Sequence, residues 1–213
     1  MKILVTGFEP FDGESVNPAL EAVKGLPERI GDAEIVKAEI PVVFGRAGEK
    51  LAEAVAACTP DIVLCIGQAG GASVISVERI AVNLIDARIA DNDGKQPVDV
   101  PVKEDGENAY FASVPVKAMV RAMQQGGVPA QLSFSAGSFV CNAVMYELLY
   151  LIDKKYPQMK GGFIHVPYTP QQAAAKQPNP ASMHLEDMTK GLRLAIEAAV
   201  KGEELSEAMG NLQ

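Results

Sequence analysis

The stretch DIVLCIG, Asp61–Gly67, is a nearly continuous apolar run that ends in a glycine. Such a run predicts a strand that is buried on both faces, as in a parallel sheet covered by helices. On either side of it, β-branched runs predict further strands at 2–8, 34–44, 74–85, 129–137 and 161–169. Between these strands, the sequence predicts helices at 17–26, 46–57, 115–125, 142–155 and 182–201, the last capped by Ser182.

This alternation of strands and helices predicts the fold class. Consecutive β and α segments build an α/β domain, with helices covering both faces of one sheet. We therefore expect a single domain over residues 1–213, folded as a three-layer α/β/α sandwich around a twisted, mostly parallel or mixed sheet. The polar tail at about 202–213 is expected to fray.

Composition excludes two classes of partner. The 213 residues carry a net charge of −8 and no basic cluster that could neutralise phosphates, so no nucleic-acid partner is expected. No apolar run approaches the ~18 residues that span a bilayer, and the apolar start MKILVTGFEP is too short for a signal peptide. We therefore expect a cytoplasmic protein that makes no membrane contact.

Several motifs that would hold a metal or a cofactor are missing from the sequence. The three cysteines lack CxxC or framework spacing and the two histidines lack a carboxylate cluster, which predicts reduced thiols and no metal site. Glycines at 67, 70 and 71 do not form a GxGxxG fingerprint, so no cofactor is expected. DNDG at 91–94 lacks the later ligands of a calcium loop and predicts a surface turn.

Cys141 lies in the segment SAGSFVCN, 135–142, where a glycine-containing loop leads into a predicted helix. The unpaired amides and the dipole at a helix N-terminus favour an anion there, and therefore favour the thiolate of a cysteine. From its position alone, Cys141 is equally well interpreted as a nucleophile or as a small packing residue. Cys58 and Cys65 lie in a helical and a buried-strand pattern, so both are expected to be structural.

Two further residues could assist a nucleophilic cysteine. His165 lies in the apolar strand GFIHVP, which follows the Cys141 helix; a β-α-β crossover would bring the ends of the two strands to one edge of the sheet. Its alternative role is that of a hydrogen-bonded core residue. Glu78 interrupts an apolar stretch, and it is either an edge-strand carboxylate facing water or a group that orients a histidine ring. His184, in the polar segment NPASMHLED, is expected to be exposed.

These residues are embedded in motifs that resemble the pyroglutamyl-peptidase I (pyrrolidone-carboxylate peptidase) family of cysteine peptidases. The resemblance covers nearly the whole chain and is carried by TGFEPFDGESVNPA, IGQAGG, ERIAVNLIDARIADNDG, SAGSFVCN and GGFIHVPY. It implies an α/β fold, a homotetramer, and hydrolysis of the peptide bond after an N-terminal pyroglutamyl residue. It also implies a catalytic triad of Cys141, His165 and Glu78 that acts through a thioester.

The resemblance extends to the residues around the triad. Arg88 matches the arginine of the family's DARI motif and is expected near the oxyanion, while Asn17 and Gln68 match positions near the substrate. The expected apolar walls of the lactam pocket are Phe8, Phe11, Ile89, Phe139 and Val140. Ala72, Ala90 and Val42 depart from residues that members of the family carry at those positions.

Two other functions are compatible with the sequence. One is a related α/β hydrolase or phosphorylase-like enzyme that acts on another small cyclic substrate, because a fold does not determine a function. The other is a non-catalytic protein that binds pyroglutamyl peptides. Turnover of a pyroglutamyl amide would separate both from the peptidase.

Overall fold

The computed structural model describes residues 1–210, so Asn211–Gln213, the end of the predicted tail, lie outside the described residues. The strands are β1 (Lys2–Phe8), β2 (Arg29–Ile30), β3 (Ala33–Ile40), β4 (Ile62–Gln68), β5 (Ile75–Glu78), β6 (Ile80–Val82), β7 (Ala109–Phe111), β8 (Ala130–Ser133) and β9 (Lys160–Val166). The helices are α1 (Pro18–Lys24), α2 (Arg46–Cys58), α3 (Val116–Gln125), α4 (Val140–Lys154), α5 (Pro170–Ala174) and α6 (Leu185–Lys201).

Seven of these strands form one mixed sheet in the order β2-β3-β1-β4-β9-β5-β8. Strands β3, β1, β4 and β9 run parallel, β5 and β8 run parallel to each other, and β5 is antiparallel to β9. The apolar run at 61–67 becomes β4 in the middle of this sheet, and Ile62 to Ile66 are buried. The predicted α/β fold with a mixed sheet is confirmed.

Helices cover both faces of the sheet. Helix α6 packs against α1 and α3 on one face, and α2 packs against α4 on the other. Gly7 in β1 permits the close approach of α1, since a Cβ atom there would lie 2.6 Å from Cα of Leu20. The apolar sides of the helices and sheet form the core, as the three-layer prediction requires.

Several predicted element boundaries are wrong. The stretch 74–85 is not one strand, because it leaves the main sheet at Arg79 and β6 pairs with β7 in a separate two-stranded sheet. Helix α4 begins at Val140 rather than at 142. Ser182 does not cap the last helix, because it forms a bridge with Tyr168 and the helix begins after His184.

The predicted β-α-β crossover from β8 through α4 to β9 differs from the structure in one respect. Strands β8 and β9 do lie one strand apart, with β5 between them. However, β5 is parallel to β8 and antiparallel to β9, so the ends of β8 and β9 do not meet at one edge. Ser133 at the end of β8 and Phe163 within β9 both pair with Glu78. Strand β8 therefore ends level with the middle of β9, and residues 134–139 connect that point to the start of α4.

Part of the predicted tail contacts the domain. Glu204 accepts hydrogen bonds from the backbone amides of Lys117 and Ala118 at the start of α3, and Glu207 forms a 2.8 Å ion pair with Arg121. Acidic side chains at a helix N-terminus are favourable, because they meet amides that have no partner within the helix. Within residues 1–210, no helix is both long enough and apolar enough to cross a membrane.

We expect Gly7→Ala to destabilise the fold by about 1–3 kcal/mol, because the added methyl group meets α1 backbone that cannot rotate away. Urea denaturation measures the change. Gly210→Ala is the matched control, since a Cβ at Gly210 would have nothing within 4 Å. Equal stability of the two variants would contradict the close β1–α1 contact.

Candidate active site

A cavity of about 550 Å³ brings together the three residues that the sequence singled out as a triad. Cys141, His165 and Glu78 all line it, although they come from α4, β9 and β5. A second cavity of about 640 Å³ is larger and is lined by His184, but no cysteine lines it. The smaller cavity is therefore the candidate active site, because it brings a thiol, an imidazole and a carboxylate together.

The Glu78 carboxylate holds the His165 ring through a short hydrogen bond. His165 Nδ1 lies 2.8 Å from Glu78 Oε1, and Glu78 is only 2% exposed. Because a carboxylate accepts, this contact places a proton on Nδ1 and leaves Nε2 for another partner. Glu78 lies inside the sheet between β9 and β8, so the interpretation of an edge carboxylate facing water is wrong.

The sheet register explains why these two residues meet. In the antiparallel β5–β9 pair, Ser76 lies opposite His165 and Glu78 lies opposite Phe163. Residues opposite each other and two apart share one face of a sheet, so Glu78 and His165 point to the same side. That side is the one covered by α4, which carries Cys141.

Gly67 allows the Cys141 thiol to approach the sheet closely. In the β4–β9 pair, Gly67 is the partner of His165. A Cβ atom at Gly67 would lie 3.0 Å from Cys141 Sγ and 2.8 Å from a ring carbon of Phe163. The sulfur therefore lies over β4, beside the strand that carries His165, and any larger residue at Gly67 would displace it.

The protonation of His165 depends on its two neighbours. Burial by itself lowers the pKa of the imidazole, but the negative charge on Cys141 and the hydrogen bond to Glu78 outweigh burial and raise the pKa to about 10. Both neighbours therefore favour the protonated form of the His165 ring.

Cys141 is the second residue of α4, within its first turn. Phe139 at the N-cap makes no side-chain capping bond, and the amides of residues 140–142 donate no hydrogen bond within the described part of the chain. Such free first-turn amides attract anions. They lie beside Cys141, the candidate nucleophile.

The predicted pocket residues divide into two groups. Phe11, Gln68, Arg88, Ile89 and Phe139 line the cavity. Phe11 and Phe139 lie 6.4 Å apart between ring centroids, and Phe44 supports Phe139 from behind in an edge-to-face contact at 5.2 Å. These rings form one apolar wall of the cavity.

The other three predicted pocket residues do not line the cavity. Phe8 packs into the core, where its ring centroid lies 6.2 Å from that of Phe163. Val140 is also buried. Asn17 caps α1 by accepting from the amide of Ala19 at 3.0 Å. All three are buried residues outside the cavity lining.

Sequence reasoning missed Asn142, which is fully buried directly after the cysteine. Its side chain accepts from the Val82 amide at 3.0 Å and donates to the carbonyls of Val82 and Leu84 at 2.9 Å. Ser138 adds a hydrogen bond to the Asp86 carbonyl at 2.8 Å. The start of α4 is thereby joined to the segment that leads to Arg88. An asparagine inside an otherwise apolar helix was the signal in the sequence.

The cavity also contains hydroxyl groups that the sequence did not single out. They come from Ser76, Ser133, Ser135, Ser138 and Tyr168. With Gln68 they add hydrogen-bonding groups to a cavity that Phe11 and Phe139 also line.

The other candidates take structural positions. Cys65 is fully buried, and burial raises the pKa of its thiol to about 12. Burial also raises the pKa of the Cys58 thiol, and Cys58 does not line the cavity that contains His165.

His184 is exposed, as predicted. Asp91 accepts from the amides of Asp93 and Lys95, which confirms the predicted turn. Within residues 1–210, no group of three potential ligands is placed to hold a metal ion.

None of the three positions that depart from the family pattern lines the cavity. Val42 is buried, and its amide donates to Glu9 Oε1 at 3.1 Å. Ala72 is half-buried and Ala90 is exposed. These departures therefore leave the residues around Cys141 in place.

Comparison with known proteins decides the family. Residues 1–202 match the model of the family described as pyroglutamyl peptidase. A pyrrolidone-carboxylate peptidase of Clostridium botulinum is 57% identical over 213 residues, covering 100% of both chains. One of Enterococcus faecalis is 55% identical over 99% of this chain and 98% of its own. The chain belongs to the pyroglutamyl peptidase family.

Solved structures of the family agree with this fold. Pyroglutamyl peptidase I of Bacillus amyloliquefaciens superposes with a TM-score of 0.92 at 44% identity, over 95% of this chain and 98% of that one. A mutant pyrrolidone carboxyl peptidase of Pyrococcus furiosus gives a TM-score of 0.90 at 45% identity, over 94% and 99%. The fold that contains the antiparallel pairing of β5 with β9 is therefore one observed in the family.

We expect Cys141 to be the first of the three thiols alkylated by iodoacetamide at neutral pH, because it faces the imidazolium and lines an open cavity. His165→Ala should slow its alkylation by about tenfold or more, since the thiolate loses its partner charge. Peptide mapping after timed alkylation measures both. His184→Ala is the matched control, and an equal slowing there would refute the ion pair.

We expect Asn142→Ala to lower the free energy of unfolding by about 2–4 kcal/mol, because it leaves buried backbone groups of Val82 and Leu84 without a partner. Urea denaturation measures the loss. Asn108→Ala removes an exposed asparagine and should change stability by less than about 0.5 kcal/mol. Equal effects at the two positions would contradict a stabilising role for the Asn142 hydrogen bonds to Val82 and Leu84.

Proposed function

We propose that the protein hydrolyses the peptide bond after an N-terminal pyroglutamyl residue and releases 5-oxoproline. The observation that carries this proposal is the cavity in which Cys141, His165 and Glu78 meet beside the wall of Phe11 and Phe139. Membership of the pyroglutamyl peptidase family supports the choice of substrate.

In the first step, Cys141 Sγ attacks the carbonyl carbon of the scissile bond and forms a tetrahedral intermediate. His165 gives its proton to the leaving nitrogen, the carbon–nitrogen bond breaks, and a thioester remains on Cys141. In the second step, His165 removes a proton from water, whose oxygen attacks the thioester carbon. The carbon–sulfur bond breaks, and 5-oxoproline leaves.

The negative oxygen of each tetrahedral intermediate needs donors. The free amides of the first turn of α4 are adjacent to the nucleophile, and Arg88 lines the same cavity with a permanent positive charge. Preorganised donors of this kind are worth about 10²–10³ in rate each. We assign Arg88 and these amides to the oxyanion in both steps.

The substrate pocket follows from the chemistry of the pyroglutamyl ring. The ring is flat and uncharged, so it suits the apolar surface of Phe11, Ile89 and Phe139. Its lactam also carries one donor and one acceptor, which need polar partners such as Gln68. Phe8, Asn17 and Val140 lie outside the cavity lining, so we assign them no contact with the ring.

We further propose that the protein acts in the cytoplasm as a homotetramer. A thiol nucleophile requires a reducing compartment to stay active, which favours the cytoplasm. Phe111, Phe134 and Val98 expose large apolar side chains, which favours burial against other copies of the chain. Light scattering of the purified protein tests the assembly.

We expect the wild type to cleave a fluorogenic pyroglutamyl amide without added phosphate, and Cys141→Ala to lower kcat by at least about 10³-fold because the thioester cannot form. Steady-state kinetics measure both rates. Cys58→Ala removes a half-buried thiol outside the cavity and should retain wild-type activity. Full activity of Cys141→Ala would contradict the mechanism. Turnover that depends on added phosphate would favour a phosphorylase-like enzyme.

We expect Glu78→Gln to lower kcat by about 10²-fold or more, because the amide no longer holds the ring in its useful tautomer. It should also change the pH profile. In the wild type the His165 pKa of about 10 keeps the imidazolium to alkaline pH, and removing the carboxylate lowers that pKa. The alkaline limb should therefore move to lower pH.

A full pH–rate profile of kcat/KM measures this shift. Glu53→Gln, which removes an exposed carboxylate on α2, is the matched control and should keep the wild-type profile. An alkaline limb that stays in place in Glu78→Gln would show that the carboxylate does not stabilise the imidazolium.

A further inference from the structure

Gln172 is a buried polar residue outside the triad, and its amide orientation is unambiguous. It lies on the short helix α5 and is 8% exposed. Its Oε1 accepts from the Thr169 amide at 3.1 Å and from the Thr169 hydroxyl at 3.3 Å, in a capping box. Because a backbone amide can only donate, the oxygen of Gln172 must face the start of α5.

The nitrogen of Gln172 consequently faces the opposite way. Nε2 donates to the Val16 carbonyl and to Gln68 Oε1, both at 3.2 Å, and lies 3.4 Å from Glu14 Oε2. An amide nitrogen can only donate, so the Gln68 atom that it meets must be the oxygen. The capping box fixes the orientation of the Gln172 amide, and the Gln172 amide in turn fixes the orientation of the Gln68 amide.

The remaining atom of the Gln68 amide is its NH₂ group. Within residues 1–210 this group donates no hydrogen bond, and Gln68 lines the cavity that contains Cys141 and His165. Because Gln68 is half-buried at the cavity, this donor is available to an acceptor on a ligand. The lactam carbonyl of a pyroglutamyl group is such an acceptor, whereas a ring without a carbonyl offers none.

We propose that Gln172 is a positioning residue that sets the polarity of the substrate pocket by holding Gln68 as a hydrogen-bond donor toward the lactam carbonyl. This inference rests on the proposed function. Gln172 acts through Gln68, so it governs binding of the lactam and leaves the chemistry at Cys141 unaffected. A bound ring that lacks the carbonyl would cover this donor without accepting from it, so the pocket discriminates against such rings.

Two substitutions separate orientation from mere loss of a contact. In Gln172→Glu the ionised side chain can only accept, so it repels the Val16 carbonyl and the Glu14 carboxylate, and Gln68 must turn its NH₂ group toward it and present its oxygen to the cavity. The lactam carbonyl then meets an oxygen. In Gln172→Met the side chain neither donates nor accepts, so Gln68 is free to take both orientations and retains part of its binding.

The test is to measure KM and kcat for a fluorogenic pyroglutamyl amide and Ki for 2-pyrrolidone, the simplest five-membered lactam, at neutral pH. We expect KM and Ki to rise about tenfold in Gln172→Glu and about two- to fivefold in Gln172→Met, with kcat within about twofold of wild type. Gln171→Glu adds the same charge at an exposed neighbouring position and should leave all three values unchanged.

Equal KM values in the Glu and Met variants, or a fall in kcat with KM unchanged, would overturn the proposal. If Gln172→Glu does not fold, the Met variant decides, and a wild-type Ki for 2-pyrrolidone would overturn it. If the wild type binds 2-pyrrolidone but does not cleave the amide, the proposed function fails while the Ki series still tests Gln172.

Discussion

The hydrogen bond between the buried carboxylate of Glu78 and the ring of His165 is the interaction on which the site depends. A carboxylate that is 2% exposed and has one described hydrogen-bond partner is expensive to bury unless a positive charge compensates it. The imidazolium supplies that charge, and the thiolate of Cys141 in turn stabilises the imidazolium. The three groups thus form one chain of compensating charges, and removing any member leaves another unpaired.

The fold makes this chain of charges possible through the direction of one strand. If β5 ran parallel to β9, the pairing of its residues with those of β9 would be different. The antiparallel pairing places Ser76 and Glu78 opposite His165 and Phe163, on the face covered by α4. Gly67 on the other side of β9 leaves room for the sulfur. Asn142 then joins the nucleophile's helix to the segment that carries Arg88, so the elements of the site cannot move independently.

Sequence reasoning was accurate where a local signal was strong. The apolar run at 61–67 became β4 with a shift of one residue, because continuous burial leaves few alternatives for such a segment. The break at Arg79 was missed, since the apolar pattern continues across it and only the pairing of β6 with β7 reveals it. The direction of β9 relative to β8 is set by tertiary packing and leaves no local signal. The resemblance to the family brought Cys141, His165 and Glu78 together, but it could not distinguish residues that line the cavity, such as Phe11, from buried residues outside the lining, such as Phe8.

The central claim is that Cys141 carries the pyroglutamyl group as a thioester during turnover. Rapid acid quenching of the enzyme with a pyroglutamyl amide, followed by mass spectrometry of the intact protein and its peptides, tests this claim directly. We expect a mass increase of one pyroglutamyl acyl group, located on the peptide that contains Cys141 and absent from Cys141→Ala. Turnover without any covalent adduct in the wild type under burst conditions, or an adduct on another residue, would contradict it.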